Sequence, residues 1–123
     1  MREPTYAQKK YLFAIYKLSR NGGEVKSADI AKLVGVSKAS TAIMTERLVE
    51  GGFIKKEYYG KITLTESGIK IANPIYTNCV IIRDFLENSL GLDEQTADND
   101  AVQISVHAPE NTVNRLSERI LNG

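Results

Sequence analysis

The chain has 123 residues, of which 42% are hydrophobic and 25% are charged, which is typical of a soluble globular protein with one domain or two small ones. No apolar run approaches the roughly 18 to 20 residues of a membrane span, and no secretory signal is evident, so we expect a cytoplasmic protein. The single cysteine, Cys79, excludes an internal disulfide and a zinc knuckle built on a CxxC motif.

Charge is distributed unevenly along the chain. Residues 1–73 carry 13 basic and 7 acidic side chains, a net charge of +6, whereas residues 74–123 carry 3 and 8, a net charge of −5. A basic segment attracts a polyanion such as nucleic acid, and an acidic segment is repelled by one. We therefore expect two domains, 1–73 and 74–123, that face different partners.

The chain opens with a predicted helix from about Pro4 to Arg20, closed by Asn21, Gly22 and Gly23. Four apolar residues lie at helical spacing and form one buried stripe. They are Tyr11, Leu12, Ile15 and Leu18. Because Phe13 and Tyr16 lie outside this stripe, the helix either packs against two neighbours or presents one wide stripe to a single core.

The stretch from Ser27 to Thr65 is typical of a winged helix-turn-helix. Two helices, at 28–34 and 38–50, are expected on either side of a glycine turn, within about two dozen residues, as in the tri-helical DNA-binding motif. A serine oxygen accepts a hydrogen bond from a free amide at a helix start, and glycine adopts the left-handed conformation at a helix end. The predicted caps are Ser27 and Ser37, and the predicted stops are Gly35, Gly51 and Gly52.

After the second helix the hydrophobic period changes from helical to alternating. The segments 53–57 and 62–65 are predicted to be strands, joined by a turn at 58–61, and they form a two-stranded hairpin, the wing. Lysines lie on its arm and at its tip, and we expect them to contact phosphates. They are Lys55, Lys56 and Lys61.

Beyond the wing, Thr65 to Gly68 is predicted to cap a helix that starts at Ile69. Proline disfavours helical geometry in the residue before it, so Pro74 is predicted to interrupt this helix and to start or kink a long one that ends at Leu90 and Gly91. Two further helices are expected, one over 94–106 capped by Asp93, and a last one opened by Ala108 and Pro109.

The C-terminal fifty residues form a small core for a domain that stands alone, and their long helix is too apolar for a surface helix. Burial against a second copy is the usual remedy. We therefore expect a mainly α fold with a small β-hairpin wing, in which a winged helix-turn-helix precedes a helical dimerisation domain. The residues predicted at the homodimer interface are Ile75, Cys79, Ile82, Phe85 and Leu86.

Several phrases, in this order along the chain, resemble the iron- and manganese-dependent repressors, the family of the diphtheria toxin repressor and the manganese transport regulator. These phrases are the segments Tyr11–Tyr16, Ala28–Ser37, Leu64–Gly68 and Phe85–Glu94, the last carrying Phe85-Leu86 and Leu90-Gly91-Leu92-Asp93-Glu94. The resemblance covers nearly the whole chain. We expect the short, manganese-regulator type, without a third, SH3-like domain after Gly123.

The resemblance implies a homodimer that binds double-stranded DNA, places the second helix of the motif in the major groove and uses a divalent metal as corepressor. It implies a DNA-reading face made of Ser37, Lys38, Ala39, Ser40, Ala42, Ile43 and Arg47. Small residues let the backbone approach phosphates, the cations supply charge, and Ala42 or Ile43 can touch a thymine methyl. Met44, Leu48 and Thr41 are then expected to face the core. Each position of the reading face has a plainer interpretation as a solvated or packed helix residue.

The metal ligands of the family do not carry over to this sequence. The matching positions hold Lys10, Phe13, Cys79, Val102, Ser105 and Val106. A cation, an aromatic ring and two valines cannot ligate Mn²⁺ or Fe²⁺, which prefer oxygen and imidazole donors. We expect that no metal binds there, and that apolar burial of Phe13, Val102 and Val106 replaces the tie that the ion makes in the family.

The sequence thus predicts a DNA-binding transcriptional regulator, a repressor rather than an enzyme. No phosphate-binding glycine loop is present, and one histidine, His107, with one cysteine suggests no catalytic set and no small-molecule substrate. Two alternatives stay open. One is a dimeric winged-helix interaction module without DNA binding, and the other is a repressor of the MarR type that answers to a small molecule.

Overall fold

The computed structural model describes residues 3–123, in which six helices and one two-stranded antiparallel sheet follow one another along the chain. This confirms the predicted mainly α fold with a hairpin wing. The chain divides into two compact units, the first ending at Asn73 and the second beginning at Pro74. Residues 1 and 2, which belong to the predicted N-terminal domain, lie outside the described part.

Helix α1 runs over Tyr6–Arg20. It begins later than predicted because Thr5 caps it: the Thr5 hydroxyl oxygen accepts from the Gln8 amide at 3.1 Å, and the Gln8 side chain accepts from the Thr5 amide at 2.9 Å. All five residues from Tyr11 to Ile15 are buried, whereas Leu18 is only half-buried. The buried surface of α1 is therefore wider than the predicted stripe, of which Tyr11, Leu12 and Ile15 are buried. The helix contacts α2 (Ser27–Val34), α3 (Lys38–Glu50) and strand β2 (Ile62–Leu64).

Helix α2 starts one residue earlier than predicted, and Ser27 is its first residue rather than its cap. The Lys26 amide donates to the Asp29 carboxylate at 3.0 Å, so an acidic side chain in the first turn stabilises this helix start. Gly35 ends the helix with φ of +80°, as predicted.

Helix α3 has the predicted bounds, and its cap is the Ser37 hydroxyl oxygen, which accepts from the Ser40 amide at 3.0 Å. Thr41, Thr45 and Leu48 make up its fully buried side, and Met44, predicted to face the core, is half-buried. The two threonine hydroxyls donate to carbonyl groups of α3 itself or of its cap, each at 3.0 Å. Their burial therefore leaves no unsatisfied donor.

The wing consists of β1 (Ile54–Lys56) and β2, which are shorter than the predicted strands. Ile54 pairs with Leu64 and Lys56 with Ile62, and the turn between the strands closes where the Gly60 amide donates to the Glu57 carbonyl at 2.9 Å. Val25 pairs with Ile62 on the other side of β2, which ties the wing to the loop before α2.

Helix α4 runs without interruption over Glu66–Asn88 and contains Pro74, so the predicted break at Asn73 and Pro74 is wrong. Proline removes one backbone donor from a helix interior, and the remaining hydrogen bonds of a 23-residue helix continue on both sides. The Thr65 hydroxyl oxygen accepts from the Gly68 amide at 3.2 Å at the start of α4.

The second unit contains α5 (Glu94–His107) and α6 (Glu110–Leu121), which contact each other. Asp93 caps α5 as predicted, and Asn78 donates to Asn114 at 2.8 Å. Within the described residues, no helix is both long and apolar enough to span a lipid bilayer.

Two residues of the predicted dimer interface are core residues of a single chain. Cys79 is 3% exposed and Ile82 is 1% exposed, whereas Ile75, Phe85 and Leu86 are half-buried. The sequence pattern shows which side of the helix is apolar, but it does not show how much of that side the chain covers itself. Of the five predicted interface residues, only Ile75, Phe85 and Leu86 retain surface that a second copy would bury.

Candidate nucleic-acid interface

The residues of the predicted DNA-reading face lie together on the exposed side of α3. All seven of them are exposed, and Ile43 is 55% exposed. The opposite side of the helix is anchored in the core by Thr41, Thr45 and Leu48. The helix therefore presents one continuous outer surface that is held rigidly from behind.

The start of α3 is shaped for close approach by an anion. Ser37 and Ser40 form a hydroxyl pair at 3.0 Å, and Ala39 places only a methyl group beside them. The amides of a first helical turn carry partial positive charge and have no partner within the helix. Small side chains around such a start let a phosphate oxygen reach these amides.

The cations of α3 and the wing are not neutralised by the protein. Lys38, Arg47, Lys55 and Lys56 are exposed, and throughout residues 3–123 none of them takes part in an ion pair, a hydrogen bond or a ring contact. By contrast, Lys10 and Arg20 of α1 lie over the rings of Tyr6 and Tyr16. The cations of the reading face thus keep their charge available for a polyanion. Lys61, also predicted to contact phosphates, is half-buried.

The tip of the wing presents an aromatic pair. Tyr58 is 99% exposed, and its ring meets the ring of Tyr59 edge to face, with centroids 5.3 Å apart. From the sequence, these tyrosines were expected only as turn residues. The sequence contains the signal for this tip: two adjacent tyrosines in a turn, with a lysine on either side. Tyrosine rings are apolar and their hydroxyl groups form hydrogen bonds.

Carboxylates also lie beside the reading face, and the sequence pattern of cations alone did not predict them there. A groove between α3 and β1 is lined by Glu46, Val49, Glu50, Lys56, Glu57 and Tyr58. Glu46 and Glu50 are exposed on α3. The helical period could have predicted this position. Glu46 and Glu50 are four residues apart, and they continue the side of the helix that carries Ala39, Ala42 and Ile43.

Two family models match the sequence. Residues 1–70 match the family described as "Domain of unknown function (DUF8462)", and residues 65–122 match "Iron dependent repressor, metal binding and dimerisation domain". An uncharacterized HTH-type transcriptional regulator of Methanocaldococcus jannaschii is 32% identical over 111 residues, which cover 90% of this chain and 86% of that protein. The chain belongs to the family of iron- and manganese-dependent repressors. The resemblance inferred from sequence phrases is confirmed.

Other relatives of this repressor family match along most of the chain. The HTH-type transcriptional regulator MntR of Lysinibacillus sphaericus is 28% identical over 95% of this chain and 84% of its own length. The crystal structure of T. acidophilum IdeR has a TM-score of 0.71 and 26% identity, covering 97% of this chain. A manganese-dependent transcriptional repressor in complex with manganese shares the fold, with a TM-score of 0.68 and 22% identity over 92% of this chain.

The chain spans about half the length of the two solved repressor structures, 55% of the first and 52% of the second.

The positions predicted to match the metal ligands of the repressor family do not offer a suitable donor set in this chain. Phe13 is fully buried, and Val102 and Val106 are buried aliphatic residues. The Lys10 ammonium lies 4.6 Å from the centroid of the Tyr6 ring. These four side chains supply no ligand atom to a divalent cation.

Only two of the six positions carry a side-chain atom that could ligate, namely the Cys79 sulfur and the Ser105 hydroxyl oxygen. The Ser105 hydroxyl donates to the Ala101 carbonyl at 2.8 Å, and both side chains are buried. His107, the only histidine, is exposed. Among the residues that the structure describes, no three of His, Cys, Asp or Glu come together in a group that could hold a metal ion. These residues do not fit Mn²⁺ or Fe²⁺ at the family positions.

Proposed function

We propose that this chain is a transcriptional repressor that binds duplex DNA as a homodimer and needs no ion at the family positions. The observation that carries the proposal is the outer surface of α3, where every residue of the reading face is exposed while the opposite side is locked in the core. A recognition helix must combine these two properties, because it inserts one side into the major groove and transmits its position through the other.

The residues of this surface would make two kinds of contact with DNA, one to phosphates and one to bases. Lys38 and Arg47 on α3, and Lys55 and Lys56 on the wing, would neutralise phosphates, which fixes orientation without reading sequence. Ala42 and Ile43 would contact thymine methyl groups in the major groove. Unpaired cations and the small side chains around the start of α3 support these assignments.

Dimerisation through the second unit is supported by its small core. Residues 74–123 form their own compact unit, and apolar side chains such as Ile75, Phe85, Leu86, Leu90 and Leu121 stay half-buried or exposed there. A unit of fifty residues gains stability when such surface is buried against a second copy. The net charge of −5 in this unit makes it unsuited to contact phosphates directly.

Metal independence is supported by the residues at the family positions. A chain that carries phenylalanine and valines there lacks the oxygen and imidazole donors that a divalent corepressor requires. DNA affinity would then be set by the protein alone or by another signal.

The test is a titration of purified protein onto duplex DNA at several salt concentrations, with binding stoichiometry measured in parallel. We expect two chains per duplex site, and affinity that falls steeply with salt, since each neutralised phosphate contributes about 0.9 to the logarithmic slope. Arg47→Ala should reduce that slope by about one per protomer. Lys70→Ala, which removes the same charge from an exposed position on α4, should leave it unchanged.

Exposed apolar residues favour one competing function. Ile43 and Val49 on α3, together with Tyr58 on the wing, are the kind of surface through which a winged helix without DNA binding would hold a protein partner. Absence of salt-dependent duplex binding by the wild-type protein would favour this interaction module and contradict the proposed repressor.

A further inference from the structure

We propose that Glu46 reads a base in the operator, by accepting a hydrogen bond from the N4 amino group of a cytosine in the major groove. This inference rests on the proposed DNA-binding function and adds a specificity determinant to it. Three observations support it: the place of Glu46 on α3, the lack of any partner for its carboxylate in the described chain, and the small residues that precede it.

Glu46 lies on the same side of α3 as Ala39, Ala42 and Ile43. All four residues are exposed, and Glu46 follows the other three by seven, four and three residues, a spacing that places them along one side of a helix. Lys38 and Glu46 are about 12 Å apart along the axis, since each residue adds about 1.5 Å. This length matches the width of the major groove, about 12 Å. Glu50, one turn further on, is the last residue of α3.

The small side chain of Ala42 leaves space for Glu46 on the outer surface of α3. Helical side chains lean towards the N-terminus, so the surface that Glu46 covers lies over the preceding turn, which contains Ala42. A methyl group there leaves room for the carboxylate to approach a base edge. A long side chain in place of Ala42 would occupy the same space.

The negative charge of Glu46 limits which base it can contact. A carboxylate inside the major groove is repelled by phosphates and loses hydration, so it is tolerated there only if it accepts a hydrogen bond. The amino groups of cytosine and adenine are the donors on the groove edge. Adenine places its N7 acceptor beside its amino group, which repels a carboxylate, whereas cytosine presents its N4 amino group without such a neighbour. Cytosine is therefore the base that Glu46 would select.

The Glu46 carboxylate is available for a contact with DNA. In the part of the chain that the structure describes, no hydrogen bond or ion pair engages Glu46. Lys56 lines the same groove, together with Glu50 and Glu57, but forms no ion pair with them. The Glu46 carboxylate thus has no internal partner that it would have to give up on binding a base.

The experiment is a selection from a library of randomised duplexes, carried out with wild-type protein, Glu46→Gln, Glu46→Ala and Glu50→Gln. Glutamine pairs with adenine through N6 and N7. We therefore expect one position in each half-site to change from cytosine in the wild-type selection to adenine with Glu46→Gln, with a change in preference of about tenfold. Glu46→Ala should show no preference at this position.

Glu50→Gln is the matched control, because it removes the same charge from the same groove one turn away. It should raise affinity for all duplexes and leave every base preference unchanged. Both glutamates are exposed and unengaged, so circular dichroism should show the same helix content in all variants.

Two outcomes would overturn the role of Glu46 alone: salt-dependent duplex binding with unchanged base preferences in Glu46→Gln, or a wild-type preference at the affected position for a base other than cytosine. A wild-type protein that binds no duplex at all would instead overturn the proposed function, and the role of Glu46 with it.

Discussion

Single side chains decide where the helices of this chain begin. Thr5, Ser37 and Asp93 each accept a hydrogen bond from the amide three residues later, which satisfies a backbone donor that the helix itself leaves free. In α2 the direction is reversed, because the carboxylate of Asp29 accepts from the amide of Lys26. A serine in front of a helix was therefore a sound signal for α3 and a misleading one for α2, where Lys26 is the cap residue and Asp29 accepts from its amide.

Asp93 gives the first prediction, on pH dependence. The Thr96 amide and hydroxyl donate to its carboxylate, at 2.8 and 2.9 Å, and they lower the pKa of Asp93 below its ordinary value of 3.8. A carboxyl whose pKa is lower in the folded state stabilises the fold above the ordinary value, and this contribution disappears as the pH falls through the folded pKa. Asp93→Asn keeps a good capping oxygen without the charge.

We expect the thermal midpoint of the wild-type protein to exceed that of Asp93→Asn by a constant amount from neutral pH to about pH 5, and the difference to shrink below pH 3.8. Thermal unfolding followed by circular dichroism at a series of pH values measures it. A difference that stays the same down to strongly acidic pH would show that the ionised cap does not contribute.

The sequence predicted correctly which residues of α3 are exposed at the reading face. The exposure of positions such as Ala42, Ile43 and Arg47 followed from the helical period once Thr41 and Leu48 were assigned to the core. The opposite error occurred for Cys79 and Ile82, which were assigned to a dimer interface although the chain itself buries them. An apolar stripe indicates that one side of a helix is buried. It does not show whether the same chain or a second copy covers that side.

Among the elements, α4 shows where a local rule fails. Proline costs about 3 kcal/mol in a helix interior, and the residue before it is biased away from helical geometry, so a break at Pro74 was the natural expectation. The helix nevertheless continues from Glu66 to Asn88. Ala72 before Pro74 and Cys79 and Ile82 after it are buried, and a rule based on neighbouring residues does not include such packing.

The start of α4 gives a prediction about how the wing is held. Gly68 lies so close to Phe53, the residue before β1, that a Cβ atom there would overlap the Phe53 carbonyl oxygen and come within 3.0 Å of Leu64 Cδ2. The Thr65 hydroxyl donates to the Gly52 carbonyl at 2.7 Å in the same region. The absence of a side chain at Gly68 therefore lets α4 pack directly on the base of the wing.

Gly68→Ala is expected to destabilise the protein by about 1 to 3 kcal/mol, because backbone atoms must move to relieve the overlap. This loss would exceed any gain that alanine gives to a helix interior. Denaturant unfolding measures it, and Lys70→Ala, an exposed substitution on the same helix, should change stability little. Equal stabilities of Gly68→Ala and Lys70→Ala would contradict the close approach.

Across the whole molecule, charge follows the division into two units. The first unit carries a net charge of +6 and the exposed surface of α3, and the second carries −5 and leaves apolar residues such as Leu90 and Leu121 exposed. Counting charges along the sequence is enough to indicate this division. The role of Glu46 could not be found in that way, because a net charge does not show which carboxylates lie on the reading face.

The residues at the family metal positions lead to the proposal that DNA binding requires no metal ion there. A Phe13→Asp substitution would be a poor test of metal independence, because Phe13 is fully buried and an aspartate there would unfold the first unit. Removing and adding the ion tests the claim without changing the protein. Divalent cations also compete at phosphates, so Mg²⁺ at the same concentration is the required control.

The most direct measurement is the affinity of purified protein for a selected duplex with a chelator, with Mg²⁺, with Mn²⁺ and with Fe²⁺ under anaerobic conditions. We expect tight, salt-dependent binding with the chelator present, and the same affinity in Mn²⁺ and Fe²⁺ as in Mg²⁺. Binding that occurs only with Mn²⁺ or Fe²⁺ would contradict the account and show that this repressor keeps a functional metal site.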